Sequence, residues 1–82
     1  MRLAYRLVGY DKRTEKVAFE IDIPSGKSGA VRQVAGMDAR EVADWPLNRD
    51  QVRHILARVL NRGSDVADLD FFLEPSAARV DA

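Results

Sequence analysis

The sequence predicts an α+β domain in which two helices cover one face of an antiparallel sheet of three or four strands. Alternating apolar residues near the start of the chain, a capped amphipathic helix in its second half and another alternating segment near its end indicate this class. The 82 residues suffice for one small hydrophobic core but not for two. We therefore predict a single domain over residues 1–75, followed by a frayed tail over residues 76–82.

A β-hairpin is predicted over residues 2–23. Apolar residues occupy alternate positions in both halves, which is typical of strands with one buried face. These positions are Leu3, Tyr5 and Leu7 in the first strand and Val17, Phe19, Ile21 and Ile23 in the second. Asp11 opens the polar connection between them, where its carboxylate can accept a hydrogen bond from the backbone two residues further on. Because an isolated hairpin is only marginally stable, later elements must cover its apolar face.

A short first helix is predicted over residues 30–35, with Gly36 placed just beyond its end. Residues 25–29 are rich in serine and glycine, so they are interpreted as a flexible connector that leads into this helix. Two interpretations stay open for the next stretch of chain. It contains either one helical turn capped by Asp38 or a short strand over residues 43–47.

A second helix, expected over residues 49–62, carries the clearest helix signals in the chain. Asn48 and Gln51 have the spacing of a capping box, in which each side chain bonds the backbone of the other residue. Apolar residues recur every three or four positions and form one stripe that can cover the sheet. The stripe consists of Val52, Ile55, Leu56, Val59 and Leu60.

A C-terminal strand is predicted over residues 69–74 and ends at Pro75. Leu69, Phe71 and Leu73 alternate with polar residues and with Phe72, so the strand presents one apolar face to the core. This strand completes the predicted sheet of three strands, and a strand over residues 43–47 would make it four.

Composition excludes several classes of protein. Thirteen Lys and Arg residues balance thirteen Asp and Glu residues, so the chain is not a globally basic nucleic-acid binder. The absence of cysteine excludes disulfides and thiolate metal sites. No apolar run is long enough to cross a membrane, and the first residues lack the apolar core of a signal peptide. We therefore expect a cytoplasmic protein that does not associate with membranes.

Three groups of residues suggest chemistry, and each has a simpler interpretation. Residues 26–28 read Gly-Lys-Ser, but Ile21 occupies the position where a phosphate-binding loop has its first glycine. His54 is the only histidine, so a hydrolytic triad and a zinc site both lack partners, and we expect a solvated or boundary side chain. The aspartates within residues 65–70 lack the order of a calcium loop. We predict no enzymatic activity, no cofactor and no metal.

The distribution of charge raises a nucleic-acid hypothesis. Residues 48–62 hold four arginines and one acid, whereas residues 65–74 hold four acids and no base. One interpretation is a helix that faces nucleic acid, but the gap of roughly a dozen residues between the helices is too long for a helix-turn-helix. The favoured interpretation pairs the arginines with the acidic strand inside the molecule, because nearby acids weaken phosphate binding.

Trp45 and Phe72 are the candidate partner-binding aromatics, and Arg49 and Arg53 are the candidate arginines. Aromatic and arginine side chains dominate the energetics of protein interfaces, which is why these four are chosen. The favoured alternative for the two aromatics is that they pack on each other and close a minor core, since a small domain needs its large side chains for stability.

The chain also resembles a small bacterial family of uncharacterised domains. The resemblance lies in Tyr10–Glu15, the Ile23–Pro24 strand end, Trp45–Leu47 leading into Asn48–Gln51, and Asp70–Glu74. It implies the α+β fold and no particular chemistry. The leading hypothesis is therefore a small non-enzymatic module that acts through a protein partner or by self-association. The alternative is a nucleic-acid-associated regulator that uses the helix over residues 49–62.

Overall fold

The computed structural model describes residues 3–36, 44–63 and 66–77 of the chain. Within them, four strands form one antiparallel sheet and the helices pack on one of its faces, which confirms the predicted α+β class. The strands are β1 (Leu3–Tyr10), β2 (Val17–Ile23), β3 (Trp45–Leu47) and β4 (Asp70–Ala77). The helices are α1 (Ser28–Ala35), preceded by a 3₁₀ turn (Ser25–Lys27), and α2 (Arg49–His54), which continues into a π-helical turn (Ile55–Val59).

The strand order in the sheet is β2-β1-β4-β3, and every pairing is antiparallel. β1 pairs with β2 in the predicted hairpin, and along its other side it pairs with β4 from Leu3 opposite Ala77 to Tyr10 opposite Asp70. The two ends of the described chain therefore meet in the middle of the sheet. The hairpin gains the additional strand that it needs for stability.

The connection between β1 and β2 is held by Asp11, as the sequence predicts. Its Oδ1 accepts from the backbone N–H of Arg13 at 2.7 Å and of Thr14 at 3.0 Å. These two hydrogen bonds, Thr14 first, lower the pKa of the Asp11 carboxyl because they favour its charged form. Glu15 adopts a left-handed conformation with a φ of 62°, and this reverses the chain toward β2.

A bulge between β1 and β2 changes the predicted inner face of the hairpin. Gly9 lies opposite Phe19, but Tyr10 lies opposite Val17, which leaves Ala18 as the extra residue of β2. Val17 was expected to be buried with Phe19, yet it is 53% exposed. The expectation for Val17 is wrong because the bulge shifts the register that simple alternation assumes.

The core lies between the sheet and the helices. Val52, Ile55, Leu56 and Val59 of the predicted stripe are buried, and Leu60 is half-buried. The complete buried cluster is Tyr5, Leu7, Ile23, Val31, Ala35, Leu47, Val52, Ile55, Leu56, Val59, Phe71 and Leu73. Each large side chain buried in this way contributes roughly 1.5–3 kcal/mol before conformational entropy is subtracted. The α2 helix and its π turn therefore fasten the helical layer to the sheet.

Residues 25–29 are helical, so the prediction of a flexible connector is wrong. They form the 3₁₀ turn and the first residues of α1, and Lys27 Nζ donates to the carbonyl of Val59 at 2.7 Å. This bond joins positions 32 residues apart in sequence, so no local pattern reveals it. At the other end of α1, Gly36 is left-handed with a φ of 75°, as expected just beyond a helix end.

The start of α2 confirms the predicted capping box. Asn48 Oδ1 accepts from the backbone N–H of Gln51 at 2.8 Å, and Gln51 Oε1 accepts from the backbone N–H of Asn48 at 2.8 Å. The helix ends earlier than residue 62, however, because its last residues form a π turn. Asn61 is left-handed with a φ of 55°, and the N–H of Arg62 bonds the carbonyl of Leu56 at 2.7 Å. These features close the helix before the predicted end.

β4 continues through Pro75 to Ala77, so its predicted end at residue 74 is wrong. Pro75 lies opposite Tyr5 of β1, and the described part of β3 pairs with β4 only as far as Leu73. Proline occurs in strands where its nitrogen does not have to donate to a neighbouring strand. Ser76 and Ala77, assigned to the predicted tail, pair with β1.

Two other expectations concern segments at the limits of the described residues. The short strand predicted over residues 43–47 is confirmed as β3, Trp45–Leu47. The alternative helical turn at Asp38 and the tail over residues 78–82 lie outside the described residues. No helix in the described parts of the chain is long and apolar enough to cross a membrane.

Candidate protein-binding cleft

The structure separates the two aromatic residues of the predicted partner site. β3 pairs with β4 so that Trp45 lies opposite Leu73 and Pro46 lies opposite Phe72. Since neighbouring residues of a strand point to opposite faces, Trp45 shares the helix-covered face with Leu73, and Phe72 lies on the other face. The expectation that Trp45 and Phe72 pack on each other is therefore wrong.

Trp45 caps the C-terminal end of α1 by a side-chain hydrogen bond. Its side chain is half-buried against the core, and Nε1 donates to the carbonyl of Ala35 at 2.9 Å. Gln51 Nε2 donates to the neighbouring carbonyl of Val34 at 3.2 Å. The last carbonyls of a helix lack partners within the helix, so these two side chains satisfy groups that would otherwise need water. Trp45 thus has a structural role in the described fold.

Phe72 belongs to an aromatic and acidic group on the face away from the helices. Its ring meets the ring of Tyr10 edge to face, with centroids 5.9 Å apart. The hydroxyl of Tyr10 donates to a carboxylate oxygen of Glu74. This hydrogen bond, together with partial desolvation, raises the pKa of Tyr10 to about 12. Tyr10 therefore positions Phe72, whose side chain is half-buried.

The arginines of α2 do not pair with the acidic strand, contrary to the favoured interpretation of the sequence. Arg49 Nη2 donates to the carbonyl of Val66 at 2.8 Å, and Arg53 Nη1 pairs with Asp50 at 3.3 Å. Among the described residues, no arginine of residues 48–62 forms an ion pair with an acid of β4. That role falls to Lys12, whose Nζ lies 3.0 Å from Asp70 Oδ1.

Phe72 and Arg49 line the same cleft, which has a volume of about 300 Å³. The cleft lies where β3 leads into α2, with residues 66–70 on its other side. Its apolar lining consists of Pro46, Leu47, Val66, Ala67, Leu69, Phe71 and Phe72. Its polar lining includes Lys12, Asn48, Arg49, Asp68 and Asp70. Two residues of the predicted partner site thus line one cleft of mixed apolar and charged character.

The charged side chains of the cleft balance each other. Lys12 Nζ lies 3.9 Å from Asp68 and 3.0 Å from Asp70, and the hydrogen bond to Asp70 is the main reason that the pKa of Lys12 is raised. With Arg49, the cleft holds two cations and two carboxylates. These exposed ion pairs add little to stability. Their main consequence is that the electrostatic potential in the cleft is neither strongly positive nor strongly negative.

Residues 66–70, which form one wall of the cleft, are bonded to two other parts of the molecule. Arg49 binds the carbonyl of Val66 on the α2 side, and Lys12 binds Asp68 and Asp70 on the side of the β1–β2 turn. Sequence reasoning missed Lys12, because it lies 58 residues from Asp70 and no local spacing connects them. The acidic residues of 65–74 correctly indicated a basic partner within the molecule. That partner is Lys12 and not one of the arginines of residues 48–62.

Arg53 lies outside this cleft, in a more open depression on the exposed side of α2. That depression is lined by Asp50, Arg53, His54, Ala57 and Arg58. His54 is exposed there, as expected for a solvated histidine. Residues 3–36, 44–63 and 66–77 contain no group of three or more His, Asp or Glu side chains arranged to hold a metal ion. The ammonium group of Lys27, considered for phosphate binding, is bonded to the helix carbonyl of Val59.

Comparisons with known proteins give no match, whether to a protein-family model, to a curated protein or to a solved structure. The resemblance to a small bacterial domain family therefore stays a prediction. A functional proposal has to rest on the geometry of the cleft.

Proposed function

We propose that this chain is a small, non-enzymatic cytoplasmic module that binds a partner protein at the cleft formed by β3, α2 and residues 66–70. One observation carries the proposal: a half-buried aromatic ring, Phe72, and an exposed guanidinium, Arg49, line the same cleft, whose lining is part apolar and part charged. Aromatic and arginine side chains are the usual energetic anchors of protein interfaces.

The size and lining of the cleft indicate the kind of contact that it suits. A volume of about 300 Å³ is at the lower end of ligand pockets, which favours an inserted side chain over a large cofactor. Pro46, Leu69 and Phe72 offer an apolar surface to such a side chain. Arg49 uses one terminal nitrogen for Val66 and keeps further N–H donors for a carbonyl or carboxylate beside it. The expected ligand is an apolar side chain of a partner protein with an acceptor group next to it.

Nucleic-acid binding through the helix over residues 49–62 is the alternative, and the same contacts support it less. Arg49 and Arg53 each bond a group of the protein itself. Asp68 and Asp70 lie in the same cleft as Arg49 and would repel phosphates.

The proposal is tested by affinity capture from a lysate of the source cells, with quantitative mass spectrometry and with and without nuclease. The baits are the unaltered chain, Arg49→Ala, Phe72→Ala and the matched control Arg53→Ala. Arg49 and Arg53 are both exposed on α2, but only Arg49 lines the cleft. Because Phe72→Ala removes a packed ring, the denaturation midpoint of each bait is measured first.

We expect a protein that resists nuclease, is retained by Arg53→Ala, and is depleted several-fold by Arg49→Ala and by Phe72→Ala. Capture that is equal for all four folded baits would reject the cleft as the binding site. Capture that disappears with nuclease, and that Arg49→Ala and Arg53→Ala weaken equally, would favour the nucleic-acid alternative.

A further inference from the structure

The face of the sheet turned away from the helices, here called the outer face, has an apolar centre. Val8 of β1 lies opposite Phe72 of β4, and Phe72 lies opposite Pro46 of β3. Val8 is 1% exposed, although it is not part of the core cluster between the sheet and the helices. The ring of Tyr10 packs against Phe72 on the same face. Because Pro46 is exposed and Tyr10 and Phe72 are half-buried, this apolar centre can be reached by a partner.

Carboxylates surround the apolar centre of the outer face. Arg6 lies opposite Asp22 on one side and Glu74 on the other, and Asp44 precedes Trp45, so that alternation places Asp44 on the outer face. Five carboxylates share this face: Glu20, Asp22, Asp44, Asp70 and Glu74. In the part of the chain that the structure describes, the cations paired with them are Arg6 and Lys12. Five carboxylates and two cations leave the outer face with three negative charges in excess.

Tyr10 responds to the negative charge of this face. Its hydrogen bond to Glu74 is the largest cause of its raised pKa, and the charges of Glu74, Asp44 and Glu20 raise that pKa further. They do so because carboxylates nearby disfavour the tyrosinate anion. The same carboxylates would favour a cation placed over Tyr10 and Phe72.

The helical layer on the other side of the sheet carries the opposite charge. Residues 25–36 and 48–63 contain six cations and one acid. The cations are Lys27, Arg32, Arg49, Arg53, Arg58 and Arg62, and the acid is Asp50. The net charge of zero therefore conceals a separation of charge between the two sides of the sheet. A basic partner is attracted to the outer face and repelled by the helical layer.

The outer face and the cleft are continuous at Phe72 and Pro46. Both residues line the cleft, and both belong to the apolar centre of the outer face. The charges within the cleft balance, but along β4 from Phe72 to Glu74 the surface becomes acidic. A segment with one side chain in the cleft would therefore continue over carboxylates.

We propose that the partner segment is basic, an inference that rests on the proposed function and specifies its ligand. An apolar side chain enters the cleft, and neighbouring lysine or arginine side chains lie over the outer face beside Glu74, Asp44 and Glu20. The acceptor beside Arg49 is a backbone carbonyl of this segment, because an acidic segment is repelled by the outer face. The apolar centre supplies contact area, and the surrounding carboxylates determine the charge of the partner.

Selection of random dodecapeptides displayed on phage against the full chain tests the proposal. Enriched peptides are synthesised, and fluorescence anisotropy measures their dissociation constants. A variant with Asp22→Lys and Asp44→Lys reverses two charges of the outer face. A control with Glu15→Lys and Asp50→Lys makes the same change in net charge at exposed positions of the β1–β2 turn and of α2. The denaturation midpoint of each variant is measured first.

We expect the enriched peptides to combine an apolar residue with an excess of lysine and arginine. They should bind the Asp22→Lys, Asp44→Lys variant about tenfold more weakly than the unaltered chain, and the control variant nearly as well as the unaltered chain. High salt should reduce the difference. Arg49→Ala and Phe72→Ala should also weaken binding, because the apolar side chain occupies the cleft.

Three results would overturn the inference. Peptides that need Arg49 and Phe72 but have no basic excess, or that bind the Asp22→Lys, Asp44→Lys variant equally well, would reject a basic partner and leave the cleft as a binding site. Basic peptides that are insensitive to Arg49→Ala and Phe72→Ala would show that the outer face binds without the cleft. Enrichment of no peptide would reject the inference, and the capture experiment with Arg49→Ala and Arg53→Ala would still decide the proposed function.

Discussion

Gly9 lies in β1 between two aromatic side chains of the neighbouring strands, Phe19 of β2 and Phe71 of β4. Their rings meet edge to face with centroids 5.9 Å apart. A Cβ at position 9 would lie 2.8 Å from the Phe71 ring and 2.8 Å from Leu69 Cδ1. The absence of a side chain at Gly9 is therefore what allows Phe71 and Leu69 to approach β1.

We predict opposite effects of two glycine-to-alanine substitutions. Gly9→Ala forces Phe71 or the strand to shift and should lower the free energy of unfolding by about 1–3 kcal/mol, as overpacking does. Gly29→Ala, at an exposed position of α1 with no atom within 4 Å of the new Cβ, should raise it by up to about 1 kcal/mol. Urea denaturation measures both. A Gly9→Ala protein as stable as the unaltered chain would contradict the close approach seen at Gly9.

Tyr10 gives the fold a dependence on alkaline pH. The unfolded chain loses the Tyr10 proton near the ordinary pKa of 10.0, but the folded chain loses it near pH 12, because the hydroxyl donates to Glu74. The folded state therefore binds more protons over this interval, and stability falls as the pH rises. The contribution of Tyr10 is complete below pH 10.0 and is lost as the pH passes about 12.

Tyrosinate absorbance, taken as the difference between the unaltered chain and Tyr10→Phe, measures the titration of Tyr10 alone. We expect a midpoint near pH 12, and a lower midpoint in Glu74→Gln, because a neutral amide is a weaker acceptor than a carboxylate. An unchanged midpoint in Glu74→Gln would show that Glu74 is not the cause of the shift.

At the scale of elements, α2 is the best example of structure specified by neighbouring residues. Asn48 and Gln51 satisfy each other's backbone groups, and the apolar stripe lies on the buried side as its spacing predicts. The π turn after His54 departs from that spacing, yet Ile55, Leu56 and Val59 all remain buried. Burial of the stripe, more than ideal helix geometry, thus determines how this segment packs.

Substitutions of Leu56, on the buried side of the π turn, and of Arg58, on its exposed side, test how this segment packs. Leu56 is 6% exposed, so Leu56→Ala should lower the free energy of unfolding by roughly 2–5 kcal/mol, whereas Arg58→Ala at an exposed position should change it little. Guanidinium denaturation monitored by Trp45 fluorescence measures both variants. Nearly equal effects would contradict the observed orientation of this segment.

At the scale of the whole molecule, the strand order places the proposed partner cleft at one edge of the sheet, beside β3, and leaves β2 as the other edge. The bulge at Ala18 interrupts the regular alternation along that second edge.

Local rules predicted much of this fold and part of the candidate site. The Asp11 turn and the capping box follow from interactions between residues that are close in sequence, and the strands and the apolar stripe follow from the spacing of their apolar residues. Among the candidate site residues, Arg49 and Phe72 both line the cleft. The type of each residue was predictable, but which of them share a surface was not.

The tertiary structure decided the features that depend on distant partners. Lys27 of the helical segment that was expected to be a connector bonds Val59, and Lys12, rather than an arginine, pairs with Asp70. The bulge at Ala18 exposes Val17, and pairing with β1 carries β4 through Pro75 to Ala77. The sequence by itself indicated the fold class through the periodicity of its elements, and it determined the capping box, because the cap interactions join residues a few positions apart. Strand register, ion-pair partners and the membership of the cleft arise from contacts across the sheet, which exist only once the chain has folded.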